Sequence, residues 1–275
     1  MPELPEVETI MRGLSPHLEN TMIMDVIVRQ DKLRWPISPM LKEHLLQQKI
    51  VQLSRRGKYL LLHVTNGTLI MHLGMSGRLQ IQNNTTPPTR HDHVDIFFGD
   101  AYLLRYNDPR RFGAIIWTEA DPLQHHLLRS LGIEPLSEGF TGEYLKKQAQ
   151  NRRVAIKSFI MNSHVVTGIG NIYAAEALFL AKIHPIQPAE TLTEAQCIEL
   201  VNAIKIILKA AIHQGGTTIK DFINSEGKPG YFTQQLRVYG RGGKPCLVCH
   251  APLRTMQLGQ RSTVFCDFCQ CLIDD

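Results

Sequence analysis

The sequence predicts a multidomain α+β protein, and three observations carry that prediction. Short strand-like segments fill residues 21–118, helical periodicity follows in residues 141–213, and two closely spaced cysteine pairs lie near the end of the chain. A length of 275 residues suits about two domains with cores of their own. With 43% hydrophobic and 20% charged residues, the composition is globular and excludes a disordered chain.

A helix is predicted over residues 5–19. Pro5 suits the first helical position, and Glu6 and Glu8 lie in the first turn, where the helix dipole favours negative charge. Apolar residues then recur at intervals of three or four, at Val7, Ile10, Met11, Leu14 and Leu18.

Seven strands are predicted next, at residues 22–28, 58–64, 68–74, 78–81, 93–98, 101–106 and 112–117. No helical pattern separates them, which predicts an antiparallel sandwich or barrel. A polar loop at 82–91 and the turn NDPRRFG at 107–113 interrupt the pattern.

The following segment, residues 118–140, is predicted to be a linker with some helix. In the last helix of the region 141–213, Thr193 and Gln196 form a capping box, and Gly215 and Gly216 end the helix. Another helix is predicted from residue 172, with Asn171 as its cap. Its N-terminal amides favour an anion, although an ordinary packing turn explains the same glycine-rich entry equally well.

The cysteines are spaced as Cys-x-x-Cys, sixteen residues, and Cys-x-x-Cys, at Cys246, Cys249, Cys266 and Cys269. Two such pairs complete a tetrahedral zinc site. Because all four positions are filled by thiolates, we expect one structural Zn²⁺ with no open coordination position. The alternative is a pair of disulfides, which the acidic start of the chain, unlike an export signal, disfavours. The residues between the pairs fit a hairpin with Gly259 near its tip.

Basic residues are concentrated near the C-terminus. The net charge is only +5, but the segment 227–266 contains no Asp or Glu and holds Lys228, Arg237, Arg241, Lys244, Arg254 and Arg261. Such a face favours a polyanion, most simply nucleic acid, although chance surface patterning explains the count alone equally well. No apolar run reaches the roughly 18 residues that a membrane span needs.

The chain begins Met1-Pro2-Glu3. Removal of Met1 would leave a proline secondary amine, which is partly neutral at physiological pH and can form a Schiff base with a sugar carbon. The carboxyls of Glu3 and Glu6 could transfer protons there. Many chains begin Met-Pro without being catalytic, so these residues alone do not decide the matter.

Taken together, the motifs PELPEVET, HLGMSG, NDPRRFG, GIGNIYAAE, GGTTIKDF, GKPGYF and VYGR and the four cysteines resemble the formamidopyrimidine-DNA glycosylase family. The resemblance covers almost the whole chain. It implies an N-terminal β-sandwich with a flanking helix (1–130), a helix-two-turn-helix domain (131–240) with a lesion-covering loop at about 217–231, and a zinc-finger hairpin (241–275). It also implies a bifunctional enzyme that removes oxidised purines from DNA and then nicks the strand by β,δ-elimination.

Family roles transfer to matching positions. The catalytic set would be Pro2 as nucleophile, Glu3 as main proton donor, Glu6 in the same pocket, Lys58 for β-elimination and Arg261 for δ-elimination. DNA contacts would come from His72, His91, Arg110, Arg152 and Asn171. The wedge that fills the gap left by the flipped base would consist of Met75, Arg110 and Phe112; the alternative for Met75 and Phe112 is sandwich core, but their places beside glycines favour exposure.

The resemblance implies damaged double-stranded DNA as partner, no membrane, a monomer, and a cytoplasmic bacterial enzyme associated with the nucleoid through DNA. Two alternatives stand beside it. An endonuclease VIII-like glycosylase for oxidised pyrimidines would share Pro2, Glu3 and a lysine, but the LPEVET and DPRRFG segments argue against it. A non-catalytic zinc-ribbon DNA-binding protein would have no use for Pro2 and Glu3.

Overall fold

The computed structural model describes residues 2–99, 101–216 and 232–272. Within these, one compact unit comprises residues 2–130 and 214–216, apart from position 100, and a second comprises 131–213 and 232–272. The predicted lesion-covering loop lies outside the described residues. The three-domain division at residues 130 and 240 stays a prediction.

The first unit begins with helix α1 (Leu4–Leu18), which confirms the predicted N-terminal helix. Two four-stranded antiparallel sheets follow, with strand orders β1-β6-β7-β5 and β2-β3-β4-β8. The remaining elements are β1 (Asp25–Val28), α2 (Leu41–Leu45), β2 (Ile50–Arg56), β3 (Tyr59–Val64), β4 (Gly67–His72), β5 (Arg78–Asn83), β6 (Asp92–Phe98), β7 (Tyr102–Asn107) and β8 (Ala114–Thr118).

One apolar core joins the two sheets and α1. Leu62 and Leu69 of one sheet, Ile96 and Leu104 of the other, and Ile10 of the helix all belong to it and are at most 3% exposed. Two separate sheets over a shared core make a sandwich, so the barrel alternative is wrong. The helix covers this core with the apolar positions that its periodicity predicted.

Two elements of this unit were missed by the sequence patterns. Strand β2 buries only Ile50 and Leu53 fully and ends in two arginines. Its register shifts between Ile50 and Gln52, which breaks the alternation on which a strand prediction depends. Helix α2 has five residues, too few for helical periodicity to show.

The second unit holds four helices and a hairpin in its described part: α3 (Gly142–Ala149), α4 (Ile156–Ile160), α5 (Asn171–Leu180), α6 (Glu194–His213), β9 (Arg254–Leu258) and β10 (Arg261–Phe265). The capping box of α6 is confirmed, since Thr193 N donates to Gln196 Oε1 at 3.0 Å and Gln196 N donates to Thr193 Oγ1 at 3.2 Å. No helix in the described ranges combines the length and the apolar character needed to cross a membrane.

The hairpin turns at Gly259 and Gln260, which confirms the predicted tip. Both residues have positive φ, 53° and 60°, as a two-residue type I′ turn requires. The hairpin packs on α5 through a small core of Ala175, Phe179, Val238, Cys246, Leu253, Val264 and Cys266.

Candidate active site and nucleic-acid interface

The start of α1 holds two buried carboxyl groups directly after Pro2, which is itself buried. Glu3 is 3% exposed and Glu6 is 1% exposed. They form a reciprocal capping box, in which Glu3 N donates to Glu6 Oε2 at 2.9 Å. Burial of a carboxyl group is costly without donors, and the first helical turn supplies them. The helix start therefore fixes two acid–base groups beside the candidate nucleophile.

Gly216 packs on one of these carboxyls. Its φ is +83°, and an added Cβ would lie 3.1 Å from Glu6 Oε1. From the sequence, Gly216 was identified only as a residue that ends α6, so its contact with Glu6 was missed.

The turn that carries Lys58 is tied to α1. Gly57 and Lys58 form the two-residue loop between β2 and β3, with a φ of 59° at Gly57. Arg55 donates from Nη1 to Gly57 O at 2.9 Å and from Nε to Glu8 Oε2 on α1 at 2.8 Å. This ion pair, with side chains only 10% and 12% exposed, joins the Lys58 turn to the helix that holds Glu3. Neither Arg55 nor Glu8 was a candidate from the sequence.

His72 ends β4 with its ring against Tyr59, at a centroid distance of 4.7 Å. Its Nδ1 accepts the Gly74 N–H at 3.0 Å, so the neutral ring carries its proton on Nε2. Burial, reinforced by the positive charges of Lys58 and Arg34, lowers the pKa of His72 from 6.5 to about 4. The imidazole is therefore a neutral N–H donor near two cations, and exposed Arg34 is a residue that the sequence patterns missed.

The three predicted wedge residues lie at the surface. Met75 is 40% exposed and Phe112 is 45% exposed, which confirms the expected exposure and rules out sandwich core. Arg110 places its guanidinium carbon 4.7 Å from the centre of the Phe112 ring. An apolar chain, a ring and a guanidinium are thus available to contact unstacked bases.

A buried carboxylate links the two loops that carry these residues, the loop between β4 and β5 and the loop between β7 and β8. Asp108 is fully buried and accepts from Ser76 Oγ at 2.7 Å and Gly113 N at 2.9 Å, one donor from each loop. Gly74 has a φ of +59°, and an added Cβ would lie 2.4 Å from the carbonyl carbon of Phe112. The loops therefore pack backbone against backbone.

His91 ends the loop before β6 and is half-buried. Its carbonyl accepts from Asp108 N at 3.0 Å, so this predicted DNA contact is tied to the start of the 108–113 loop.

The prediction that the Asn171 side chain caps α5 is wrong. The helix begins at Asn171 itself, Gly170 is the N-cap, and no side-chain cap is present. Asn171 Oδ1 accepts from Lys157 Nζ at 2.7 Å, and Asn171 Nδ2 donates to Ser262 O at 3.1 Å. Lys157 is 1% exposed and also donates to Thr263 Oγ1 at 2.7 Å. Asn171 is thus held by the hairpin and by a buried lysine that the sequence patterns did not identify.

The two remaining predicted contacts are exposed arginines of the second unit. Arg261 begins β10 beside the hairpin tip, and its Nη1 lies 4.0 Å from Met161 Sδ. Arg152 follows α3, where its amide donates to Ala149 O at 3.1 Å. The catalytic and contact residues predicted from the sequence therefore divide between the units, with Arg152, Asn171 and Arg261 in the second.

The four predicted cysteines converge. The sulfur atoms of Cys246, Cys249, Cys266 and Cys269 all lie within 4.8 Å of one another. The pairs Cys246–Cys269 and Cys249–Cys266 are 3.9 and 3.4 Å apart, against about 3.8 Å between thiolates around a tetrahedral zinc. The donor set fits one structural Zn²⁺, which would hold both ends of the finger.

The segment that leads into the finger is anchored by Glu176 of α5, which is 1% exposed. Its carboxylate accepts from the consecutive amides of Arg237, Val238 and Tyr239 at 2.8–2.9 Å. Burial raises the pKa of Glu176, and these amides oppose the rise. The sequence patterns did not mark this residue, since its partners lie some sixty positions away.

Family models match three stretches of the chain. They are described as the formamidopyrimidine-DNA glycosylase N-terminal domain (residues 1–115), the formamidopyrimidine-DNA glycosylase H2TH domain (131–223) and a zinc finger found in FPG and IleRS (243–270). The chain is 55% identical to the formamidopyrimidine-DNA glycosylase of Teredinibacter turnerae, over 98% of this chain and 100% of that protein. This chain belongs to the formamidopyrimidine-DNA glycosylase family.

Other members of the formamidopyrimidine-DNA glycosylase family agree over the full length. The Actinobacillus pleuropneumoniae serotype 7 protein is 53% identical over 99% of both chains. A Lactococcus lactis Fpg in complex with DNA containing an abasic site has a TM-score of 0.91 at 32% identity, covering 98% of this chain and 100% of that one. The MutM (Fpg) protein of Thermus thermophilus has a TM-score of 0.87 at 33% identity, over 98% of both chains. The family fold, a sandwich, a helical domain and a zinc-finger hairpin, is confirmed.

Proposed function

We propose that this chain is a bifunctional DNA glycosylase and AP lyase of base excision repair that removes oxidised purines. The observation that carries the proposal is the buried Glu3–Glu6 pair placed directly after Pro2. The names of its relatives and a related structure bound to abasic-site DNA support it. The pyrimidine-specific alternative is not favoured, because the matched family and these relatives are formamidopyrimidine-DNA glycosylases.

In the proposed mechanism, removal of Met1 frees the Pro2 amine. The amine attacks C1′ of the flipped nucleotide, and the base leaves with the electron pair of the N-glycosidic bond. The proline nitrogen loses its proton and Glu3 protonates O4′, so the C1′–O4′ bond breaks and the sugar ring opens to an iminium. The resulting iminium acidifies C2′, so loss of a C2′ proton expels the 3′ phosphate. A second elimination then expels the 5′ phosphate.

Cationic side chains and N–H donors near the eliminations would stabilise the leaving phosphates. We assign this role to Lys58 and Arg261 as cations, and to His72 and Asn171 as neutral N–H donors. A guanidinium binds phosphate through a fork of two N–H groups, which suits Arg261 to the second elimination. Met75, Arg110 and Phe112 would fill the gap in the duplex, and His91 and Arg152 would bind its backbone. We further propose that the enzyme acts as a cytoplasmic monomer associated with the nucleoid through DNA.

Borohydride trapping on a duplex with an abasic site tests the covalent step. We expect wild type to form a trapped adduct and Pro2→Gly to trap far more weakly. Intact mass of the purified chain should show the loss of one methionine residue. Equal trapping by Pro2→Gly would contradict the Schiff base at Pro2. Faster cleavage of a thymine-glycol duplex than of an 8-oxoguanine:C duplex would contradict the proposed substrate.

A further inference from the structure

The loop between β5 and β6, residues 84–91, carries two cationic or ionisable side chains, Arg90 and His91. Its positions 85–90 are exposed, and two of them are prolines, which have no amide N–H to donate. Its ends are fixed by Asn84 N donating to Ala101 O at 3.3 Å and by Asp108 N donating to the His91 carbonyl. Inside the loop, Thr86 N donates to Asn83 O at 3.0 Å and Thr89 N donates to Asp92 Oδ2 at 2.6 Å, but both acceptors belong to the strands that flank the loop. The middle of so exposed a loop requires a further anchor on another strand if its side chains are to keep one position.

That anchor is Arg105 of β7, a side chain only 3% exposed. Its Nη2 donates to Thr86 O at 3.1 Å and its Nη1 donates to Pro87 O at 3.3 Å. Nη1 also donates to Gln82 Oε1 at 2.8 Å. One guanidinium thus holds two consecutive carbonyls at the middle of the loop.

The Asp95 carboxylate fixes the orientation of the Arg105 guanidinium. Nε and Nη2 of Arg105 both donate to the Asp95 carboxylate at 2.8 Å, a two-point contact that allows a single orientation. Asp95 is fully buried and also accepts from Arg29 Nη2 at 2.7 Å. Burial alone would raise the pKa of Asp95, but these hydrogen bonds lower it, so the carboxylate stays ionised.

We propose that Arg105 is a positioning residue for DNA binding, which holds the 84–91 loop so that Arg90 and His91 reach the phosphate backbone. The inference rests on the proposed function and adds to it a residue that touches no DNA. All five N–H groups of Arg105 are used, three on side chains and two on the loop. A lysine could neutralise Asp95, but its single ammonium cannot also hold two carbonyls in a plane.

Arg105→Lys tests the inference, with Arg29→Lys as matched control. Both substitutions keep a cation for Asp95, but the Arg29 side chain donates to Asp95 and not to the loop, within the part of the chain that the structure describes. For Arg105→Lys we expect KM on an 8-oxoguanine:C duplex to rise about tenfold, as for the removal of one good phosphate contact, with kcat unchanged. The slope of log Kd against log salt should become shallower by about 0.9 for each phosphate that is no longer neutralised. Arg29→Lys should leave both quantities at the wild-type values.

A double-mutant cycle shows whether Arg105 acts through the loop. In a His91→Ala background, Arg105→Lys should raise KM by much less than it does in wild type. Additive effects, an unchanged salt slope or a fall in kcat alone would overturn the inference. Amide exchange gives a second check: the Thr86 and Thr89 amides, which donate to Asn83 O at 3.0 Å and Asp92 Oδ2 at 2.6 Å, should exchange faster in Arg105→Lys than in wild type, and equal rates would contradict an anchor at Arg105. Absence of a trapped adduct with wild type would instead reject the proposed function itself.

Discussion

At the scale of single residues, charge placement sets the state of His72. Its folded pKa of about 4 lies below the ordinary 6.5 because burial, together with Lys58 and Arg34, disfavours the imidazolium. An NMR titration should therefore show His72 neutral from pH 5 to 8 (roughly one unit or more above its pKa), with the Nε2–H tautomer. Lys58→Met should raise this pKa, whereas Lys42→Met, whose ammonium pairs with Asp25, should not.

The same shift has a consequence for stability. The unfolded chain takes up a proton at His72 near pH 6.5, and the folded chain does so only near pH 4. The unfolding free energy should therefore fall as pH decreases through this window. A His72→Gln variant should lose that part of the pH dependence; an identical dependence in the variant would contradict the assigned pKa.

Lys157 is the second residue whose environment makes a prediction. Lys157→Met removes the donor to Asn171 Oδ1 and Thr263 Oγ1, and leaves two acceptors with one partner fewer. We expect a loss of about 1–3 kcal/mol in the unfolding free energy and weaker binding of abasic-site duplex, measured by urea unfolding and by fluorescence anisotropy. Lys147→Met, at an exposed position of α3, is the control and should change neither.

The functional residues that could be predicted from the sequence were those with a characteristic local spacing. The four cysteines were found because a metal demands a fixed set of donors at short intervals. Lys157, Glu176 and Arg105 were missed because each owes its role to partners brought close only by folding. Asn171 was identified as a DNA contact, but its capping role was wrong, since Lys157 and the hairpin hold its side chain instead.

At the scale of elements, the two wedge-bearing loops depend on a glycine. Gly74→Ala would place a Cβ 2.4 Å from the Phe112 carbonyl carbon and would also strain a φ of +59°. We expect a loss of about 1–3 kcal/mol in unfolding free energy and faster amide exchange in residues 73–77 and 110–113. Gly139→Ala is the control, because its Cβ would meet only the flexible end of Ile133, at 3.0 Å. Equal behaviour of the two variants would show that the loops do not pack as described.

Elements were predictable where their periodicity was complete. Helix α1 had an apolar stripe and an N-terminal signal, helix α6 had a capping box at its start and glycines after its end, and the hairpin had a glycine at its turn. Strand β2 was not predicted because a register shift and two terminal arginines hide its alternation. The loop-adjacent positions of Met75 and Phe112 were sufficient to predict their exposure, since glycines flanked both segments.

At the scale of the whole molecule, zinc should stabilise the finger and not the sandwich. Chelation should release one Zn²⁺ per chain, raise amide exchange over residues 254–265 and abolish tight DNA binding, while the apolar core of the first unit stays protected. Cys249→Ser should reproduce the loss. Cys271→Ser should retain the metal, because Cys271 lies outside the four-sulfur cluster. Full DNA affinity after chelation would refute the finger's role.

The sequence composition predicts a basic, acid-free C-terminal region, but it does not predict which of its basic side chains form ion pairs. Its bases had suggested a surface for polyanions, and Arg254 proves to be paired with Asp267 at 2.5 Å, just beyond the acid-free run. Arg261 remains exposed at the hairpin tip. Charge counting therefore located the region, but only the structure showed that Arg254 is paired and that Arg261 is exposed.

The three hydrogen bonds that Glu176 accepts determine whether the zinc finger can be moved into another protein by itself. Residues 243–270 look like a self-contained cassette along the chain. Yet the segment before the finger, residues 237–239, is bound to α5 by Glu176. The apolar side chains of the finger also share their core with Phe179 and Val238. A chimaera spliced at residue 243 would separate the finger from its own support. Transplanting it into another scaffold requires moving the α5 surface and the 237–239 segment as one piece.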